Sequence, residues 1–324
     1  MRRHCNYTCT PRSCGVKASV SIYRGQEPFV RPFLGIINND VNESGESRNS
    51  TVAGGKQRSL PDFENPPVVE TVLGVEFAPL QGWSIPHFGL LWNELKEKYP
   101  LFEVQLALPS SGDVDVGLGA QSGLSLHLSA WPTHRCWFFN PDRTSLVQVQ
   151  NDRFVHNWLK AAPKDQYPHY ENIRPMFELE WTLFRDFLAA QKISLPGLVK
   201  CEITYINHIE RGHGWQTFED LSDLIKVWAA ERKFDFLPVP DQVICNLRYP
   251  MPNVHGTLSI TVEPAIRKSD QKEVIQLRLT AQGRPDSVEL VDIVKWFDTG
   301  REWIVRGFTD FTTPKAHQLW KRSV

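Results

Sequence analysis

An α+β fold built on antiparallel sheet is what this sequence predicts, and three features carry the expectation. Several stretches alternate apolar and polar residues with the period of two that marks a half-covered strand. Two long stretches place apolar residues at helical spacing. The order of elements in the first part of the folded chain then recurs in the second, each part reading strand, helix, three or four strands, helix. The expected organisation is a disordered leader over residues 1–62, a first α+β half over 63–195 and a second over 196–324. Each half is expected to have its own antiparallel sheet covered on one face by helices.

Bulk properties narrow the function classes. The 324 residues suffice for one large domain or two small ones, and a chain of this size forms a core without staples. Eleven Trp residues predict a core rich in ring packing. Lys plus Arg (36) nearly cancels Asp plus Glu (37), so the basic excess that drives nucleic-acid binding is missing from the totals. There is no apolar run of about 18 residues, which argues against a membrane-spanning helix. With no apolar signal region at the N-terminus, the expected setting is cytoplasmic and the cysteines are expected as thiols.

The leader is polar and Gly/Ser-rich over 38–59, too poor in apolar residues to offset its ordering entropy. Upstream, Cys5, Cys9 and Cys14 stand beside His4. Their irregular spacing departs from the paired C-x-x-C units of structural zinc sites, so an unstructured leader is the preferred reading.

The fold is expected to begin at Asn65-Pro66-Pro67. Residues 68–77 alternate, with Val69, Thr71, Leu73, Val75 and Phe77 on one face. Residues 86–99 form a helical stripe (Phe88, Leu91, Trp92, Leu95, Tyr99) that Pro100 stops. Strands are expected over 101–108, 124–131, 135–140 and 145–150, with a flexible loop over 109–123. Residues 173–191 are apolar nearly all round and predict a central, buried helix. In the second half, strand 198–209 leads through Gly214-Trp215 to a helix over 218–228. Strands follow over 243–249, 257–262 and 273–281. A helix over 287–311 closes the half, with Asp298-Thr299-Gly300 as an expected kink or break. Glu70/Glu202, Gly82/Gly214 and Trp83/Trp215 align without a gap between the halves, which points to an old duplication.

Further motifs occur in order: Asn65-Pro66-Pro67-Val68-Val69-Glu70, Asp152-Arg153-Phe154 leading to Asn157-Trp158, and Tyr167-Pro168-x-Tyr170-Glu171-x-x-Arg174-Pro175. Tyr205-Ile206-Asn207-His208-Ile209 and the ending from Phe308 to Trp320 complete the set. Together they resemble a sporadically distributed family of uncharacterised prokaryotic proteins. The resemblance runs from about residue 64 to the end. It implies a prokaryotic, intracellular setting and, because the family has no established activity, no mechanism. Where the family often carries a His in its C-terminal helix, this chain carries Arg301.

Catalytic signatures are missing. There is no G-x-S-x-G elbow and no phosphate loop of the G-x-x-x-x-G-K-[ST] type. Gly117, Gly119 and Gly123 precede a strand rather than a helix N-terminus, so a flexible connector is expected. Asp113 and Asp115 lack further acids to complete a cation site. His208, Glu210 and His213 cluster at a turn but offer too few ligands for a metal. No catalytic residue, metal or cofactor is assigned. The candidate binding residues are Glu70, Glu202, Tyr205, Asn207 and His208. By strand parity Tyr205 and Asn207 face the core, where a buried amide must find partners. A structural hydrogen bond is the preferred role of Asn207, and a ligand contact the other. Glu70, Glu202 and His208 fall on the opposite, wetter face, where Arg135, Arg248 or Arg278 would balance the carboxylates.

The leading expectation is a non-enzymatic intracellular binding or regulatory protein acting through a protein partner on a polar sheet face, with rings such as Trp137 and Phe139 on display. The alternative is a small-ligand receptor or enzyme with a pocket between sheet and long helix. Nucleic-acid binding is the third and weakest.

Overall fold

The central pairing of the fold joins the first strand of each expected half. Strand β1 (Val68–Phe77) runs antiparallel to β6 (Leu198–Glu210), from Val68↔Asn207 to Phe77↔Leu198. The computed structural model describes residues 59–109, 134–228, 235–252 and 254–323, all within the unit Gln57–Val324. Outward from β1 lie β5 (Arg153–Leu159), β4 (Ser145–Gln150), β3 (His134–Phe139) and β2 (Leu101–Leu106). Outward from β6 lie β9 (Glu273–Gly283), β8 (Gly256–Ile266) and β7 (Cys245–Met251). All neighbours are antiparallel. The two sheets expected from the sequence are therefore one nine-stranded sheet of the described residues. Both β1 and β6 are shielded on one face and can each take a second neighbour, so neither remains an edge.

One face is covered by helices. Helix α1 (Ile85–Leu95) lies by β3, α2 (Tyr170–Ala190) over β5, and α3 (Leu290–Phe311) over β6, β9 and β8. A short α4 (Pro314–Leu319) follows. Strand parity holds from Thr71 onward, where Thr71, Leu73, Val75 and Phe77 of β1 are buried, as are Ile275, Leu277, Leu279 and Ala281 of β9; at the start of β1 a register shift buries Val68 in place of the expected Val69. Beneath α2 the rings of Phe154, Phe177, Trp181 and Phe184 pack at centroid distances of 5.0–6.2 Å, and Phe297 of α3 meets Phe177 edge-on at 5.0 Å.

Several expectations are corrected. Helix α2 is amphipathic rather than buried all round, since Leu179 is 68% exposed. The expected helix over 218–228 is only a 3-10 turn, Phe218–Asp223. Beyond it Ile225 bridges Thr312, and Lys226 N donates to Phe311 O, so the backbone is spent on α3 rather than on its own helix. Helix α3 runs unbroken through Asp298-Thr299-Gly300. There Gly300 serves close approach, because a Cβ would lie 2.6 Å from Ile203 Cγ2 of β6. Strand β5 was not expected at all. The strand expected over 124–131, the Asp113–Asp115 pair, Gly117–Gly123 and the His4/Cys5/Cys9/Cys14 group lie outside the described residues, as does the leader up to residue 58.

The described chain starts pinned to its end. Phe63 packs on Phe308, His317 and Trp320 at 5.4–6.5 Å, and Ser323 N donates to Asp62 O. Among the described residues no helix is long and apolar enough to cross a membrane.

Candidate functional site

On the helix-covered side, Tyr205 and Asn207 of β6 point into the core. The Asn207 amide donates to Leu277 O of β9 at 3.0 Å, a structural bond between neighbouring strands. Tyr167 donates its hydroxyl to Tyr205 at 2.9 Å. Burial pushes the Tyr205 hydroxyl up to about 12, against the opposing pulls of Tyr167 and Arg301. These side chains, with Arg301 from α3, line a cavity of only about 60 Å³. Arg301 pairs with Glu171 at 2.6 Å and sits over the Tyr170 ring. Around Tyr205 and Asn207 the space between sheet and helices leaves room for little more than water.

A second buried polar cluster lies under α2. Glu180 (3% exposed) accepts from Lys98 Nζ at 2.9 Å and from the Tyr99 hydroxyl, and its other oxygen meets His156 Nδ1 (residue 2% exposed) at 2.6 Å. Burial by itself would raise the Glu180 carboxyl, but His156, Lys98 and Tyr99 together hold it below the usual carboxylate range. Each oxygen is occupied, so the cluster fixes α2 to β5 and to the turn after α1.

The helix-free face is different. A cleft of about 480 Å³ crosses β3, β4, β5, β1, β6 and β9. The ladder registers lay out its side chains in rows, two residues or roughly 7 Å apart along the strands. One end is basic: Arg153 of β5 and Lys200 of β6 flank Glu76 of β1, and Arg135 lies farther out on β3. Arg153 and Lys200 pair with Glu76 at 3.3 and 3.4 Å. The middle is apolar at Val72, Gly74 and Val155, beside Glu202, which accepts from Thr204 Oγ1 at 3.2 Å. At the far end Glu70 accepts from Asn157 Nδ2 at 2.6 Å, and Asn157 Oδ1 accepts from Gln148 at 2.7 Å. This chain of amides holds Glu70 in place across three strands. Burial raises the Glu70 carboxyl despite the opposing influence of Asn157 and Arg278.

The five predicted binding residues thus divide between two faces. Glu70 and Glu202 line the cleft, whereas Tyr205 and Asn207 lie on the other side of the sheet. His208 shares the helix-free face but stands beyond the cleft, with Nε2 3.3 Å from Gln276 Oε1. Burial pushes its imidazole below the ordinary value, Gln276 acting against this. Glu210, its neighbour in the expected cluster, is taken by Arg267 at 2.6 Å and Lys272 at 2.8 Å. Of the rings expected on display, Trp137 lies under the Arg135 guanidinium and Phe139 is buried beneath Arg143. Sequence reasoning passed over Arg153, Asn157, Gln148, Lys200 and Glu76. Recognising 153–159 as a strand would have placed Arg153 and Asn157 on this face by parity.

No protein-family model matches the chain, and no curated protein matches it. Among solved structures it is similar to the crystal structure of DynU16, a protein in the dynemicin biosynthetic locus, at 10% identity with a TM-score of 0.23, over 75% of this chain and 98% of that one. At that TM-score the likeness bears on neither fold nor function.

Proposed function

We propose that the chain is a non-enzymatic binding protein whose site for a small ligand is the cleft on the helix-free face of the sheet. The lining of the cleft, where Glu70 and Glu202 stand, carries this reading. About 60 Å³ is open around Tyr205 and Asn207, whereas about 480 Å³ is open beside Glu70 and Glu202. The larger volume is in the range of small-molecule sites, and its lining mixes an apolar middle with fixed polar groups, as such sites do. Among the described residues no three His, Cys, Asp or Glu side chains are grouped to hold a metal. The test is ligand-observed NMR of the full chain against a fragment library, compared with Gly74→Val, which fills the cleft floor. Hits abolished by the variant support the site, and hits that persist unchanged overturn it.

A protein partner is the second reading, favoured by β2, which is the last strand on its side of the sheet among the described residues. Its core-side row Phe102, Val104 and Leu106 is 59%, 56% and 87% exposed. Such an edge invites strand addition. The occupant that fits is a second copy. An antiparallel register centred on Val104 sets Phe102 opposite Leu106 of the other chain, and Glu103 opposite the Gln105 amide. Sedimentation should then show a dimer that Val104→Lys converts to monomer, and a wild-type monomer at high concentration excludes this reading.

The same reading takes the two strand sets as an old internal duplication, supported by their matching outward orders β1-β5-β4-β3 and β6-β9-β8-β7. It keeps the membership in a sporadic prokaryotic family suggested by the motifs, and a cytoplasmic setting, for which the free thiols of Cys136, Cys201 and Cys245 are suited.

A further inference from the structure

Among the described residues the basic end of the cleft carries more cations than carboxylates. Glu76 is shared by Arg153 and Lys200, Asp152 lies 3.8 Å from Arg153, and no carboxylate pairs with Arg135. The half-buried Arg135 has its Nε turned into the protein without a hydrogen-bond partner. Burial and the neighbouring Arg153 both disfavour its charge. Its guanidinium lies over Trp137, 5.2 Å from the ring centre. An arginine set against a ring, partly desolvated and beside a like charge suits an incoming oxyanion, which it can grip through two parallel N–H bonds.

The adjoining floor has the opposite character. Val72 and Val155 flank Gly74, which leaves a gap where every other residue would place a side chain. The wall beside it is Leu108, clamped by both amide atoms of Gln150 at 2.9 Å, and Arg153 secures the next residue by donating to Pro109 O. A charged head and an apolar body are thus offered places side by side.

We propose that Arg135 seats the oxyanion head, carboxylate or phosphate, of a small amphiphilic ligand whose apolar body lies over Val72, Gly74 and Val155. This rests on the cleft being the binding site.

Calorimetry of the full chain with hexanoate, hexyl phosphate, hexanol and hexylamine tests it. The two anions should bind, and the stronger of them identifies the head group. The alcohol and the amine should bind at least about tenfold more weakly, because they lack the charge-assisted pair. Arg135→Gln should cost the anions about tenfold, and Arg135→Lys less, since charge survives without the fork. Gly74→Val keeps the test valid if Arg135→Gln fails to fold. A Cβ at Gly74 meets only ordinary contact, 3.5 Å from Val155, and the added bulk should abolish anion binding. Equal binding of alcohol, amine and anions, or anion affinity unchanged in Arg135→Gln, overturns this inference but leaves the cleft as a site. Failure of all four probes to bind overturns both.

Discussion

Replacing Gly300 by Ala sets two magnitudes against each other inside one helix. In a helix interior, Ala is favoured over Gly by about 1 kcal/mol. At position 300 that gain meets a wall: the new Cβ would lie 2.6 Å from Ile203 Cγ2 and 3.3 Å from both Ala281 Cβ and Trp296 Cζ3. Carbon atoms rest at about 3.5–4.0 Å, so the overlap with Ile203 is roughly 1 Å. Ile203 and Ala281 sit on central strands and are wholly buried, so neither can swing aside. Overpacking of this kind costs about 1–3 kcal/mol. The expected net effect is a loss of up to about 2 kcal/mol, once the helix gain is subtracted. Two other helical glycines serve as internal references. Gly89 in α1 is exposed with nothing within 4 Å of a Cβ, so Gly89→Ala should stabilise by about 0.5–1 kcal/mol. Gly307 would meet only the end of the Leu258 side chain, at 2.8 Å, and Gly307→Ala should stay within about 1 kcal/mol of wild type. Urea denaturation followed by tryptophan fluorescence and circular dichroism measures all three. If Gly300→Ala proves as stabilising as Gly89→Ala, then α3 does not press on β6 as described.

Two titrating groups give further expectations. Glu180→Ala should destabilise by about 3–5 kcal/mol, because the buried His156 loses its carboxylate partner, which the exposed Lys98 also shares. Because the folded protein holds the Glu180 carboxyl below the ordinary glutamate value of 4.5, its contribution is present above that pH and is lost as pH falls below it. Glu180→Gln should therefore flatten the acid limb of the stability profile, and an unchanged limb would contradict the assignment. Glu70 shifts the other way: its carboxyl resonance should titrate with a midpoint above 4.5, and its ionisation above that midpoint works against folding. Glu70→Gln removes that burden, so its stability relative to wild type should rise as pH climbs through the midpoint. A wild-type midpoint at or below 4.5 would refute the burial described for the cleft.

How far the site was legible in the sequence depended on how local its signals were. Parity placed Glu70 and Glu202 on the wetter face and Tyr205 and Asn207 on the covered one, because alternation needs only residues next to one another. Strand β5 escaped notice because Arg153, His156 and Asn157 interrupt its apolar pattern. Each is accommodated by a residue from another element: Glu76 for Arg153, Glu180 for His156, and Glu70 with Gln148 for Asn157. The stripe Leu221, Leu224, Ile225 and Trp228 predicted a helix from spacing alone. The first three side chains are buried and Trp228 is half-buried, but the backbone after Asp223 bonds to the end of α3 instead.

The sequence by itself determined which elements are strands or helices along most of the chain and which side of each strand meets the core, since hydrophobic period is written residue by residue. Only the tertiary structure decided that β1 and β6 pair and merge two expected sheets into one. Through that pairing it decided that Glu76 meets both Arg153 and Lys200 while Arg135 is left without a carboxylate partner among the described residues. Those encounters depend on which strands lie side by side, a choice made by the burial of the whole sheet and carried by no single segment.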